Sequence, residues 1–136
     1  MTTIATPNTT AAKDSFLRFA IRLDAALSAL MGIVGVPLAA RLAELSGTTT
    51  AFEYSMGAFF IAYGAAVYGL SLQRRVRTLG TVLVIGNLGY TALAVLFVVL
   101  GVMPLTTVGV VLTIGSGVYT LVMAELQYQG LRRMRG

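Results

Sequence analysis

One stretch constrains this chain more than any other: the 47 residues from Thr78 to Ala124 contain no Asp, Glu, Lys or Arg. As one straight helix rising about 1.5 Å per residue, the stretch would be about 70 Å long. A bilayer's hydrocarbon core is only about 30 Å thick, and about 20 apolar residues cross it. The stretch therefore has to turn back once. Gly101-Val102-Met103-Pro104 is its strongest punctuation, since Gly relaxes the backbone and Pro favours the start of a new helix. Two shorter uncharged stretches precede it, Ala25 to Ala40 and Tyr54 to Gln73.

These stretches predict four helical spans, over residues 20–42, 53–73, 78–100 and 104–127. Lipid offers the backbone no hydrogen bonds, so a span is either a helix or part of a closed barrel. Barrel strands alternate apolar and polar residues. Leu93-Ala94-Val95-Leu96-Phe97-Val98-Val99-Leu100 does not alternate. Composition agrees: 57% of residues are hydrophobic and 11% charged, against about 25% charged in a soluble domain. The fold class expected is all-α, a transmembrane four-helix bundle. Residues 1–14 read as a disordered cytoplasmic leader, 15–130 as the membrane domain and 131–136 as a basic cytoplasmic tail. Pro37 is expected to kink or end the first span, leaving Leu38–Leu45 as a short interfacial turn.

Orientation follows from the basic residues, which favour the cytoplasmic side. Lys13, Arg18 and Arg22 precede the first span; Arg74, Arg75 and Arg77 separate the second and third; Arg132, Arg133 and Arg135 follow the fourth. All nine fall on one side of a four-span layout, and Arg41 alone falls on the other. Both termini are expected in the cytoplasm and the protein in the cytoplasmic (inner) membrane, crossing it several times. The net charge of +5 then reads as a topology signal and an attraction to anionic lipid headgroups. Nucleic acid is not an expected partner, because no aromatic or groove-reading element is interleaved with the charge. A homo-oligomer or a partner in a membrane complex is compatible with the small-residue stripes Ala58/Ala62/Ala66, Gly109/Thr113/Gly117, Ser28/Gly32/Gly35 and Gly86/Gly89.

Polar groups inside spans are costly and mark candidate sites. Asp24 lies about one turn inside the first span, Asn87 about 13 Å into the third, and Glu125 in the last turns of the fourth. Tyr63, Tyr68 and Tyr90 carry hydroxyls in or near the same half of the bilayer. If these faces converge, they form a polar pocket open to the cytoplasm that binds a ligand or a proton, because burial favours the neutral form of a carboxyl. The plainer reading is structural, with Asp24 paired to an Arg of the second loop and Glu125 to Arg132 or Arg77. With no His and no Cys, a Ser triad, a thiol nucleophile and a zinc site lack their usual residues. No catalytic residue, metal or cofactor is expected.

Several short motifs carry a resemblance. Arg22-Leu23-Asp24-Ala25-Ala26, Pro37-Leu38-Ala39 with Leu42-Ala43-Glu44-Leu45, Gly57-Ala58-Phe59-Phe60, Asn87 and Ala124-Glu125-Leu126-Gln127 together look like small actinobacterial integral membrane proteins of four spans, with a layout similar to DoxX-like membrane proteins. The resemblance implies a fold and a membrane address and brings no activity with it. The expected function is non-enzymatic: an accessory or scaffold subunit, or a binder of a small apolar or lipid-like ligand. The alternative is a proton-coupled transporter of small molecules or lipids that uses the intramembrane carboxylates.

Overall fold

The computed structural model describes the backbone of residues 5–135 and the side chains of residues 13–134. Among these residues there are five helices and no strand: α1 (Ala5–Gly35), α2 (Ala39–Ser46), α3 (Thr50–Leu70), α4 (Arg77–Val99) and α5 (Thr107–Arg135). α1 packs along both α3 and α5, and α5 packs along α4. The long helices thus succeed one another as α3, α1, α5, α4, and α3 and α4 stand apart with aromatic side chains reaching between them.

α4 and residues Thr107–Met134 of α5 are long and apolar enough to cross a membrane, and α1 with α2 makes a third candidate if the bent pair is one span. α3 has the length for a span, at 21 residues, but is not among these candidates. The outer faces of α4 and α5 are strongly apolar. Ile85, Leu93, Val99, Leu100 and Val111 are each at least 63% exposed, an apolar surface that suits lipid better than water.

Local chemistry explains where the helix boundaries depart from expectation. The first span, expected over 20–42, stops at Gly35 and turns through 89° into α2. Pro37 cannot donate to the helix ladder, and the chain turns by three-residue bonds, Leu38 N to Gly35 O at 3.1 Å and Ala39 N to Val36 O at 3.2 Å. The leader expected over 1–14 is helical from Ala5. Pro7 falls in the first turn, where a missing N–H costs nothing, and residues 1–4 lie outside the described residues. The last helix, expected from 104, starts at Thr107 because the Thr106 hydroxyl accepts the Gly109 N–H at 3.1 Å. It continues to Arg135 through the expected tail. Likewise α3 begins at Thr50, capped by Thr49, whose hydroxyl accepts the Phe52 N–H at 3.1 Å.

α2 clasps the start of α5. Ser46 O accepts the Thr106 N–H at 3.0 Å, and the Thr106 hydroxyl donates to Leu45 O. Between them Gly47 takes a left-handed φ of 78°, and a Cβ there would run into Pro104 O. At the opposite end, a small core gathers Leu17, Ile21, Ala25, Val67, Val76 and Leu83.

The small-residue stripes are used unevenly. Gly32 of α1 lies against the Gly57 carbonyl of α3, and Gly64 of α3 against Ala25 and Ala29. The α3 stripe expected at Ala58, Ala62 and Ala66 faces outward instead. Gly109 and Gly117 pack within the chain, on Ser46 and Ala94, while Gly86 and Gly89 border open space.

Arg18 and Arg22 do more than reach an interface. Arg18 donates to the Ser71, Gln73 and Arg74 carbonyls at 2.6, 2.7 and 3.0 Å, and to Asp14 at 3.0 Å. Arg22 donates to the Ser71 hydroxyl at 3.1 Å and stands over the Tyr68 ring, 5.8 Å from its centre. Together they bond the cap and the turn that follow α3, beside a helix C-terminus whose dipole favours positive charge. Arg18→Ala is expected to lower the unfolding free energy by about 2 kcal/mol, the range for hydrogen bonds to a charged group. Arg18→Lys should recover less than half, because an ammonium has three donors on one nitrogen where the guanidinium spreads four bonds over two. Chemical unfolding in detergent tests this, and equal stability of the Lys variant and the unchanged protein would refute it.

Candidate functional site

Asp24 is the centre of the site. Its residue is 1% exposed, and every long helix sends it a hydrogen bond. On its own helix, Ser28 stands one turn on and donates to Oδ1 at 3.2 Å. Tyr63 of α3 donates to Oδ2 at 2.9 Å. Asn87 of α4 donates to Oδ2 at 3.1 Å. From α5, Gln127 donates to Oδ2 at 3.1 Å and Tyr119 to Oδ1 at 2.9 Å. Asn87 gives its second amide proton to Gln127 Oε1 at 3.0 Å. One carboxyl thus accepts five side-chain bonds, all from neutral groups. A carboxyl out of water is tolerable only when satisfied in this way.

The web continues along the α4–α5 seam. Thr91 donates to Gly117 O at 2.9 Å and pairs with the Thr120 hydroxyl at 2.7 Å. Tyr90 donates to Ser116 Oγ at 3.2 Å.

Of the residues singled out from the sequence, Asp24, Asn87 and Tyr63 converge, and Tyr90 borders them. Glu125 and Tyr68 do not. Glu125 is exposed and bonded by Gln129 at 2.8 Å, and Tyr68 is 45% exposed beside Arg22. The helical turn explains the exchange of Glu125 for Gln127, since two residues along α5 is about 200° around it. Neither expected ion pair is present among the described residues: Asp24 has no salt bridge to Arg74, Arg75 or Arg77 of the second loop, and Glu125 has none to Arg132 or Arg77. Ser28, Tyr119 and Gln127 are the residues that sequence reasoning missed. A signal existed for two of them: Tyr119, Met123 and Gln127 recur every fourth residue, the spacing of one helix face.

Beside this web, the side of the molecule between α3 and α4 is open. Two aromatic pairs bridge the two helices, Phe52 with Phe97 at 5.6 Å and Phe60 with Tyr90 at 6.1 Å between ring centres. Around them lies a two-lobed cleft. One lobe, of about 330 Å³, is walled by Met56, Leu93 and Phe97 with Thr48 and Glu53 at its end. The other, of about 240 Å³, runs from Met31, Phe59 and Val82 to Tyr63, Asn87 and Tyr119. Phe60 and Tyr90 line both. A mostly apolar cleft of about 300–1,000 Å³ with a few convergent polar groups is the usual form of a small-molecule site.

Comparison with protein-family models, with curated proteins and with solved structures found no match to this chain.

Proposed function

We propose that this chain is a four-span helical bundle of the cytoplasmic membrane, with both termini in the cytoplasm, and that it binds a small apolar or lipid-like ligand between α3 and α4 without catalysing a reaction on it. The observation that carries this reading is the cleft. Its walls are aromatic and aliphatic, it lies where α3 and α4 stand apart and are bridged by aromatic side chains, and its inner end reaches the side chains that bond Asp24. In a bilayer, such a cleft faces acyl chains. α3 completes the fourth span on this reading: its Glu53 end accepts a bond from Thr48 and its opposite end is neutralised by Arg18 and Arg22. The likeness to DoxX-like proteins belongs to the same proposal.

Native mass spectrometry of protein extracted gently from its own membrane tests the proposal. A small apolar molecule in fixed ratio to the protein is the expected result. Gly86 lines the inner lobe and has open space where a Cβ would stand. Gly86→Phe therefore blocks the lobe without a backbone clash, and should lose the retained molecule while keeping its helicity. A bare protein, or equal retention by Gly86→Phe, refutes ligand binding in this cleft. A second polypeptide in fixed ratio would instead favour the scaffold role.

One observation favours a second reading, proton-coupled transport. A single carboxyl joins all four long helices, so a change in what it binds reaches every one of them. On that reading Asp24→Asn abolishes uptake of the transported molecule in vesicles while the protein stays folded.

A further inference from the structure

The direction of the hydrogen bonds around Asp24 decides which head group a ligand in the cleft carries. We infer that the inner lobe recognises a lipophilic cation, an alkylammonium whose N–H groups face Tyr63 and Tyr119 while its chain lies in the cleft. This rests on the ligand-binding reading above and adds the chemical class of the ligand.

A tyrosine hydroxyl has one proton to give and lone pairs to accept with. Tyr63 and Tyr119 both line the inner lobe, and both donate to Asp24, at 2.9 Å each. What they can still offer the lobe is lone pairs. Asn87, which lines the same lobe, has both amide protons committed, to Asp24 and Gln127. Ser28 also donates to Asp24. The polar end of the lobe is thus a surface of acceptors with a carboxyl behind it.

Charge adds to this. The two arginines that precede Asp24 on α1 are turned to the Ser71 end of α3, and the carboxyl's own bonds come from neutral groups. In a water-poor interior, its field reaches the lobe with little screening. The aromatic lining acts in the same direction, because ring faces attract cations. Phe59 and Phe60 line the lobe, 6.1 Å from Tyr63 and Tyr90 respectively. A carboxylate or phosphate head would meet acceptors and a like charge. A neutral alcohol has one donor to offer and no charge.

Three probes of one chain length, dodecylammonium, dodecanol and dodecanoate, test the inference by calorimetric titration of the protein in a neutral detergent. The Gly86→Phe protein in the same detergent measures partition into the micelle and is subtracted. The ammonium is expected to bind at least about tenfold more tightly than the alcohol, with dodecanoate weakest. Tyr63→Phe and Tyr119→Phe keep the rings and remove the acceptors, so each should bring the ammonium-to-alcohol ratio toward one. If the alcohol binds and the ammonium binds no better, or if dodecanoate binds best, the cation inference is overturned and the cleft remains a ligand site. If none of the three binds beyond the Gly86→Phe control, the ligand-binding reading falls and the inference falls with it.

Discussion

Asp24→Ala is expected to destabilise the protein by about 3–5 kcal/mol, through lost interhelical hydrogen bonds and stranded buried donors. Two contributions lead there. The substitution deletes four interhelical hydrogen bonds to the carboxyl, from Tyr63, Asn87, Tyr119 and Gln127. At the roughly 0.6 kcal/mol average measured between membrane helices, these are worth about 2–3 kcal/mol. It also strands donors that had one common acceptor, at about 1–3 kcal/mol for each that finds no replacement. Asn87 and Gln127 still have each other, and Tyr63 and Tyr119 border the cleft, so only part of the second contribution is realised. Asp24→Asn should fall between Ala and the native residue. It keeps the shape and one acceptor oxygen, but turns an NH₂ toward groups that also donate. Thermal unfolding in detergent followed by far-ultraviolet circular dichroism measures both. A midpoint for Asp24→Ala within about 2 °C of the native protein, where about 3 °C or more per kcal/mol is typical at this chain length, would mean that the web is not a stabilising element.

A pair of conservative glycine substitutions should separate just as clearly. Gly32→Ala places a methyl group into the Gly57 carbonyl and the Ile61 amide of α3. Both are backbone atoms of a helix and cannot swing aside, so α1 and α3 must move apart and loosen their whole contact. The expected cost is about 2–3 kcal/mol, the upper range for overpacking. Gly86→Ala meets nothing within 4 Å. There the gain in helix propensity, up to about 1 kcal/mol, is unopposed, and the variant should be as stable as the native protein or more so. Equal stability of the two variants in the same unfolding assay would show that α1 and α3 do not approach as closely as described.

How far the sequence can be read depends on which physical signal each feature leaves in it. α4 was legible to within one residue at each end, because Arg77 and the end of the apolar run bracket it. Asp24 and Asn87 were legible from depth alone, since a polar group inside a span needs a partner. Glu125 shows where depth fails. It lies at much the same height as Gln127, and only the angle around α5 separates an exposed side chain from a buried one. That angle cannot be judged without knowing which face of α5 meets α1. Tyr119 was passed over although it occupies the same face as Gln127, because a tyrosine in an apolar helix is commonplace until its hydroxyl has a target. The arginines of α1 were legible as charges near an interface, but not as caps. Their partners are carbonyls about 50 residues away, and a carbonyl leaves no mark in the sequence. The outward turn of Ala58, Ala62 and Ala66 has a related cause. α3 carries two small faces, and the glycine face allows α1 the closer approach.

The distance along the chain between Asp24 and its last partner has a consequence for biosynthesis. Gln127 follows Asp24 by 103 residues and Tyr119 by 95. At roughly 5–20 residues per second, the ribosome delivers Gln127 roughly 5–20 s after Asp24. On the proposed four-span layout, a nascent first span holds a carboxyl throughout that interval with Ser28 as its local donor, and Tyr63 and then Asn87 arrive only as later spans emerge. An isolated carboxyl is poorly tolerated at membrane depth, so the first span has reason to linger at a hydrated insertion site until the last span joins it. Chain release and bilayer entry are then coupled through one side chain, and the order of synthesis becomes part of how this membrane domain assembles.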